Sequence, residues 1–139
     1  MVKQLTVFIE NKPGSLHKVT EILGKNNINT VTFSLADTTD FGLLRMIVSD
    51  PERARECLKG ELISTHLNDV IVVQTDRTSE SMFKLVSACK DYNIQYMYVW
   101  SSRGEATGVV LKVTEGEEAE KLLKDLGFKV LNEKEAYLL

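Results

Sequence analysis

Between Gln4 and Glu10, Leu5, Val7 and Ile9 alternate with Thr6, Phe8 and Glu10, the period-two pattern of a strand with one buried face. Beyond a polar stretch, Leu16, Val19, Thr20, Ile22 and Leu23 recur near helical spacing. The same reading along the chain predicts strand 4–10, helix 14–25, strands 29–36 and 42–49, helix 51–59 and strand 62–67. It then predicts strand 70–75, helix 79–91, strands 94–101 and 107–113, helix 115–125 and strand 128–132. Asp50 ahead of Pro51 predicts an N-cap with proline at the first helical position, and Thr114-x-x-Glu117 predicts a capping box.

The element order repeats, and so do residues. Moving the chain by the 66 positions from Ser15 to Ser81 lays Thr6–Asn29 on Val72–Gln95 without a gap. Lys18 falls on Lys84, Asn27 on Asn93, Ile28 on Ile94 and Gly42 on Gly108. One residue drops out of the following strand, after which Ala54 meets Ala119 and Leu58 meets Leu123. Two tandem copies, 1–68 and 69–139, are the reading. Each is a βαββαβ unit, so the fold class is α+β: ferredoxin-like units, each with an antiparallel four-stranded sheet and both helices on one face. Right-handed crossovers put the first and third strands in the middle and leave the second at an edge. No linker separates the copies, which predicts that they pack together, with their sheets paired edge to edge.

One stretch is chemically distinctive: Asn11-Lys12-Pro13-Gly14-Ser15-Leu16, on the turn from the first strand into the first helix. Pro13 suits a first helical turn, and Gly14 lets another group approach the backbone without a Cβ in the way. The N–H groups around Gly14, Ser15 and Leu16 then sit at the positive end of the helix dipole, a small anion site suited to a carboxylate. Asn29 opens the predicted edge strand beside that helix start, so two asparagines are expected at one corner. The plainer reading is that Asn11 caps the helix and nothing binds.

Composition narrows the function. Hydrophobic residues at 43% and charged residues at 27% are those of an ordinary globular protein. A net charge of -3 and a pI near 5.4 argue against nucleic acid as a partner. The longest aliphatic run, Val70–Val73, is far too short for a bilayer, and the first strand begins too near Met1 for a signal peptide. A cytoplasmic protein without membrane contact is the expectation. Cys57 and Cys89 fall among apolar helix positions and read as buried thiols. His17 and His66 have no metal-ligand spacing, and no nucleophile, zinc or phosphate-loop motif occurs. No enzyme activity, metal or cofactor is expected.

Asn11-x-Pro13-Gly14-x-Leu16, followed after the helix by Asn26-Asn27-Ile28-Asn29, resembles the ACT domain, and the resemblance covers the chain as two copies. It implies a regulatory module that binds a small amino acid or similar carboxylate at the interface between ACT-like domains, whose edge strands pair into an eight-stranded sheet. It further implies ligand contacts from the places of Asn11 and Asn29. With the residues between, the ligand-binding set is Asn11, Lys12, Pro13, Gly14, Ser15, Leu16 and Asn29. Serine-binding members carry a histidine two residues before the first asparagine; here Ile9 stands there, so the resemblance does not point to serine. The second copy reads Arg77-Thr78-Ser79-Glu80-Ser81-Met82, lacking the proline and glycine, with Gln95 at the Asn29 place. The first copy is therefore expected to supply the binding loop.

In the strand 94–101, Met97 and Val99 are expected to face the helices, which turns Tyr96, Tyr98 and Trp100 to the bare face of the sheet. Three aromatics there predict a homodimer interface. With no catalytic domain attached, the regulated target would be a separate metabolic enzyme. The competing readings are a ligand-free oligomerisation or adaptor module, and an enzyme built on the ferredoxin-like fold.

Overall fold

The computed structural model describes residues 1–38, 40–101 and 107–137. Its elements are β1 (Val2–Glu10), α1 (Ser15–Lys25), β2 (Thr30–Asp37), β3 (Phe41–Val48), α2 (Pro51–Gly60) and β4 (Thr65–Gln74), followed by α3 (Ser79–Ala88), β5 (Ile94–Ser101), β6 (Thr107–Val113), α4 (Gly116–Asp125), β7 (Lys129–Val130) and α5 (Glu133–Ala136). The chain forms two compact units, one of Lys3–Asn68 and one of Asp69–Leu139 together with Met1 and Val2. The two strands predicted at 62–67 and 70–75 are one, β4, because nothing in Asn68-Asp69 interrupts extended backbone. Met1 and Val2 belong with the second unit, where the Met1 ammonium lies 3.5 Å from Glu120.

In the first unit β3 is antiparallel to both β1 and β2, with Ile9 and Asp37 flanking Gly42. On the far side of β1, the Phe8 N–H donates to the Ser64 carbonyl at 3.0 Å, just before β4. The order is therefore start of β4, β1, β3, β2, with β2 at the edge. Leu5, Val7 and Ile9 of β1 and Leu44, Met46 and Val48 of β3 point to one face. There they pack against Val19, Ile22 and Leu23 of α1 and Ala54 and Leu58 of α2. Burial of these side chains, each worth roughly 1.5–3 kcal/mol, holds the helices on the sheet. Asp50 caps α2 as predicted, accepting from the Arg53 N–H at 3.2 Å, with Pro51 beginning the helix.

The second unit repeats the order as β7, end of β4, β6, β5. Ile71, Val73, Val109, Leu111 and Val113 pack against Leu85 and Cys89 of α3 and Ala119 and Leu123 of α4. Of these, Ile71, Val73, Leu85, Cys89, Ala119 and Leu123 are the positions that the repeat pattern pairs with Leu5, Val7, Val19, Leu23, Ala54 and Leu58. The offset is not constant, however. The Ser49 N–H donates to the Asn29 carbonyl at 2.8 Å, and the Thr114 N–H donates to Asn93 at 3.2 Å. Thr30 faces Val48 as Ile94 faces Val113. The counterpart of Asn29 is thus Asn93, not Gln95: measured by strand pairing, the two copies are offset by 64 residues here rather than 66. Gapless sliding cannot register such a change of offset.

Two further expectations change. Thr114 does not form a capping box: its hydroxyl donates to the Glu115 carboxylate at 2.7 Å, and α4 has no side-chain cap. A capping box closes instead at α5, where the Asn132 side chain accepts from the Glu135 N–H at 2.9 Å and the Glu135 carboxylate accepts from the Asn132 N–H at 3.1 Å. At four residues, α5 is too short to leave a periodic signal. Met97 and Val99 do lie opposite Leu111 and Val109 on the helix side, which turns Tyr96, Tyr98 and Trp100 to the other face. Trp100 is nevertheless 2% exposed, and its indole N–H donates to the Ala136 carbonyl at 3.1 Å. The expected three-aromatic interface is therefore incomplete, since the chain's own C-terminal segment covers Trp100. Tyr96 and Tyr98 remain half-buried, with ring centroids 6.5 Å apart in a stacked arrangement.

Candidate functional site

The turn from β1 into α1 is shaped by Gly14, which takes the left-handed conformation at φ 88° and has no heavy atom within 4 Å of where a Cβ would sit. Asn11 and Lys12 form a bend and Pro13 and Gly14 a turn, so α1 starts at Ser15 rather than at Pro13. No side chain caps this helix, and no acidic residue stands in its first turn. The plainer role of Asn11 as the cap is thus corrected: with Gly14 left-handed, the chain turns away before the asparagine can reach the helical N–H groups. Of the N–H groups at the start of α1, that of Ser15 donates to the Lys12 carbonyl at 3.4 Å, and no side chain compensates the positive dipole end. Asn11, Lys12, Pro13 and Gly14 are exposed, Ser15 is half-buried and Leu16 is partly exposed.

The second copy treats the corresponding helix start differently. Helix α3 begins two residues earlier in the repeat, at Ser79, and Thr78 caps it by accepting from the Ser81 N–H at 3.1 Å. Asp76 in turn accepts from the Thr78 hydroxyl at 2.6 Å and the Thr78 N–H at 2.9 Å. These hydrogen bonds, the Thr78 hydroxyl first, hold the Asp76 carboxyl at a pKa of about 2. A carboxylate and a hydroxyl from the chain itself therefore occupy the positive end of α3. At α1 that end is left open.

A cavity of about 370 Å³ adjoins the open end, lined in part by Asn11, Lys12, Leu16, Leu35, Asp37 and Gly42. Asp37 is the residue that sequence reasoning missed. It ends β2 opposite Gly42, which itself lies opposite Ile9, so the sheet register carries its carboxylate to the end of the unit where α1 begins. The parity of the second strand against the first was the available signal. The corner thus combines uncapped helical N–H groups and the Lys12 ammonium with the Asp37 carboxylate and Asn11 amide, and Leu16 and Leu35 form its apolar wall. Lys12 itself pairs with Glu10 at 3.0 Å on the surface.

Asn29 is not at this corner. Its N–H donates to the Ser49 hydroxyl at 2.9 Å, at the far end of β3 from Gly42. Seven strand residues separate the two ends, roughly 23 Å. The expectation that both asparagines meet within one unit is corrected, because β1 and β2 run in the same direction: the end of β1 neighbours the end of β2, not its start.

Residues 1–137 match the family described as the ACT domain pair. The chain belongs to that family. ACT domains are regulatory, amino-acid-binding modules, and the tandem α+β reading holds for this chain. Among solved structures it is similar to protein BT0572 from Bacteroides thetaiotaomicron, with 32% identity and a TM-score of 0.91 over 99% of this chain and 96% of that one. It is also similar to the ligand-free regulatory subunit of aspartate kinase from Thermus thermophilus, at 19% identity and a TM-score of 0.62, covering 90% of this chain and 92% of that one. The corresponding subunit from Thermus flavus matches at 19% identity and a TM-score of 0.58 over 88% and 90% of the two chains. At these identities the two aspartate kinase subunits attest the fold alone. Among curated proteins nothing matches. Among the described residues no helix is long and apolar enough to cross a membrane, and no group of three or more His, Cys, Asp or Glu is placed to hold a metal.

Proposed function

We propose that this ACT domain pair is a non-catalytic regulatory protein that binds a small amino acid at the β1–α1 corner of its first unit and acts on a separate metabolic enzyme. The observation that carries the reading is the contrast between the two helix starts: α3 is sealed by Thr78 and Asp76, while α1 has no side-chain cap and opens beside Asp37. A ligand carboxylate takes the Leu16 N–H at the start of α1, with Lys12 alongside. Its ammonium is met by the Asp37 carboxylate and the Asn11 carbonyl, and its side chain lies on Leu16 and Leu35. Charge-assisted hydrogen bonds of this kind contribute roughly 1.5–3 kcal/mol each.

Asn29 enters this site from a second copy. β2 is an edge strand, and its helix-side residues Phe33 and Leu35 are 63% and 51% exposed. Antiparallel pairing of β2 with β2 of another chain lays the start of one strand beside the end of the other. Asn29 of the partner then approaches Asp37 and Asn11, and the exposed side chains of both strands are covered. A homodimer with two equivalent sites follows.

The test is a thermal-shift screen of the common amino acids at millimolar concentration. A ligand present at a hundredfold excess over Kd stabilises the folded state by about 2.7 kcal/mol, a shift of several degrees. The expected result is a rise in Tm with at least one amino acid, abolished in Asp37→Ala. Flat curves throughout would overturn the reading and favour a ligand-free adaptor using the same strand edge.

A further inference from the structure

Gly42 leaves a gap in an otherwise filled face of β3. Leu44, Met46 and Val48 point to the helices and are buried in the core of the first unit. Gly42 continues that series, since it lies opposite Ile9 of β1 and Asp37 of β2. Glycine inside a strand weakens it, having more backbone freedom to lose than alanine and no side chain to pack. It is explained where the strand bulges, where the backbone is left-handed, or where another group comes close. The pairing of β1 with β3 passes through Gly42 without a bulge, and Gly42 is not in the left-handed region. A Cβ built on it would meet Leu35 Cδ1 at 3.5 Å, the Ala36 carbonyl oxygen at 3.7 Å and the Ile9 carbonyl oxygen at 3.8 Å, all ordinary contacts.

The second unit shows that the fold accepts a side chain at this place. Sliding the chain lays Gly42 on Gly108, but the sheet registers do not. Val7 lies opposite Leu44 as Val73 lies opposite Val109, so the place of Gly42 belongs to Thr107. The Thr107 carbonyl accepts from the Thr75 N–H at 3.0 Å, and Thr75 stands where Ile9 stands in the first unit. Glycine at position 42 is therefore no demand of the fold. What it creates is open floor in the cavity of about 370 Å³ beside Asn11 and Asp37, with Ile9, Leu16 and Leu35 as apolar walls. The charged groups there are engaged: Lys12 pairs with Glu10 at 3.0 Å, and Asp37 meets the ligand ammonium in the reading above. A charged ligand side chain would find no counter-ion left among them. The geometry points to Gly42 as the residue that sets ligand specificity: its bare backbone admits the aliphatic side chain of a bound amino acid, seated among Ile9, Leu16 and Leu35. This inference rests on the β1–α1 corner being the ligand site.

The experiment melts the wild type, Gly42→Ala and Gly42→Val alone and with L-alanine, L-valine, L-leucine, L-aspartate or L-lysine, and titrates the ligands that shift Tm. In the wild type, L-valine or L-leucine is expected to bind at least about tenfold more tightly than L-alanine, L-aspartate or L-lysine. Without ligand, Gly42→Ala is expected to melt about 2–4 °C above the wild type, since alanine loses less freedom in a strand. The same variant should bind L-valine and L-leucine roughly tenfold or more weakly, because its methyl group overfills their place, and Gly42→Val should bind neither. Stability and affinity thus move in opposite directions, which a purely structural glycine would not produce. An unliganded Gly42→Ala that melts below the wild type would overturn the inference. So would equal affinity of the wild type and Gly42→Ala for L-valine and L-leucine, or a wild type that prefers L-aspartate or L-lysine; each of these leaves the corner standing as a ligand site. A wild type that no amino acid stabilises would overturn the corner reading and this inference with it.

Discussion

The Trp100 indole donates its N–H to the carbonyl of Ala136 at 3.1 Å, tying the edge strand β5 of the second unit's sheet to a four-residue helix near the end of the chain. Leu131 enters the same segment by donating its N–H to Val72 at 2.8 Å, and the Lys129 ammonium lies 3.4 Å from Glu135. The segment takes the place on the bare face of this sheet that sequence reasoning left to a second chain. Trp100→Phe leaves the Ala136 carbonyl buried without its donor and is expected to cost about 1–3 kcal/mol in urea unfolding. Removing residues 132–139 should shift the emission of Trp100, the only tryptophan, to the red. Unchanged emission would mean that the segment does not shield the indole.

The starts of α1 and α2 invite a sharper comparison. Asp50 is a real cap, so Asp50→Ala is expected to lower stability by about 1 kcal/mol. Asn11 caps nothing, since α1 has no side-chain cap, and Asn11→Ala is expected to stay within about 0.5 kcal/mol of the wild type in the absence of ligand. The same substitution should lower ligand affinity roughly ten- to a hundredfold. A large loss of stability without ligand would return Asn11 to a purely structural role.

What the sequence made legible follows from what periodicity can carry. Leu5, Val7 and Ile9 against Val19, Ile22 and Leu23 define one strand and one helix wherever they occur, and the repeat at Ile71, Val73 and Leu85 doubles the inference. The corner at Asn11–Leu16 was legible as well, because proline and glycine announce a turn. Placing Asn29 required knowing which end of β2 neighbours which end of β1, and that is a matter of strand direction that a linear pattern does not encode. Asp37 was missed for the same reason. The cover over Trp100 was missed because α5 and β7 are four and two residues long, below the length at which a hydrophobic period shows.

Gly108 gives a stringent test of the second sheet. It lies opposite both Gln74 and Trp100, and a Cβ built on it would come within 2.2 Å of the Val73 carbonyl oxygen. Backbone has to move to admit it. Gly108→Ala is therefore expected to cost at least about 3 kcal/mol, the upper end for overpacked positions, and to lower Tm by ten degrees or more. Gly24→Ala, where nothing lies within 4 Å, is the control and should be neutral or stabilising.

The acid behaviour of the second unit has a definite sign. Asp76 is held at about 2 by the Thr78 and Ser81 hydrogen bonds, below an ordinary aspartate near 3.9. A lowered folded-state pKa gives stability that is present above the ordinary value and lost as pH falls through the folded one. Asp76→Ala should therefore melt below the wild type at pH 7, and the gap should narrow between about pH 5 and pH 2. A gap that persists at pH 2 would show that Asp76 acts through its shape rather than its charge.

The assignment of Asn29 to a neighbouring copy can be tested by mixing defective chains. In a dimer paired through β2, each of the two sites takes Asn11 from one chain and Asn29 from the other. Asn11→Ala alone and Asn29→Ala alone both damage every site, so each variant should bind roughly ten- to a hundredfold more weakly. In a mixed dimer the two lesions fall in the same site, and the second site is wild type. Random exchange makes half of the dimers mixed, with one intact site of two, so about a quarter of all sites should regain full affinity. Titration calorimetry on an equimolar mixture, unfolded together and refolded, reads that fraction directly. Recovery of no tight sites would place Asn29 outside the ligand site, because a contact made within one chain cannot be repaired by a second chain that lacks the other half.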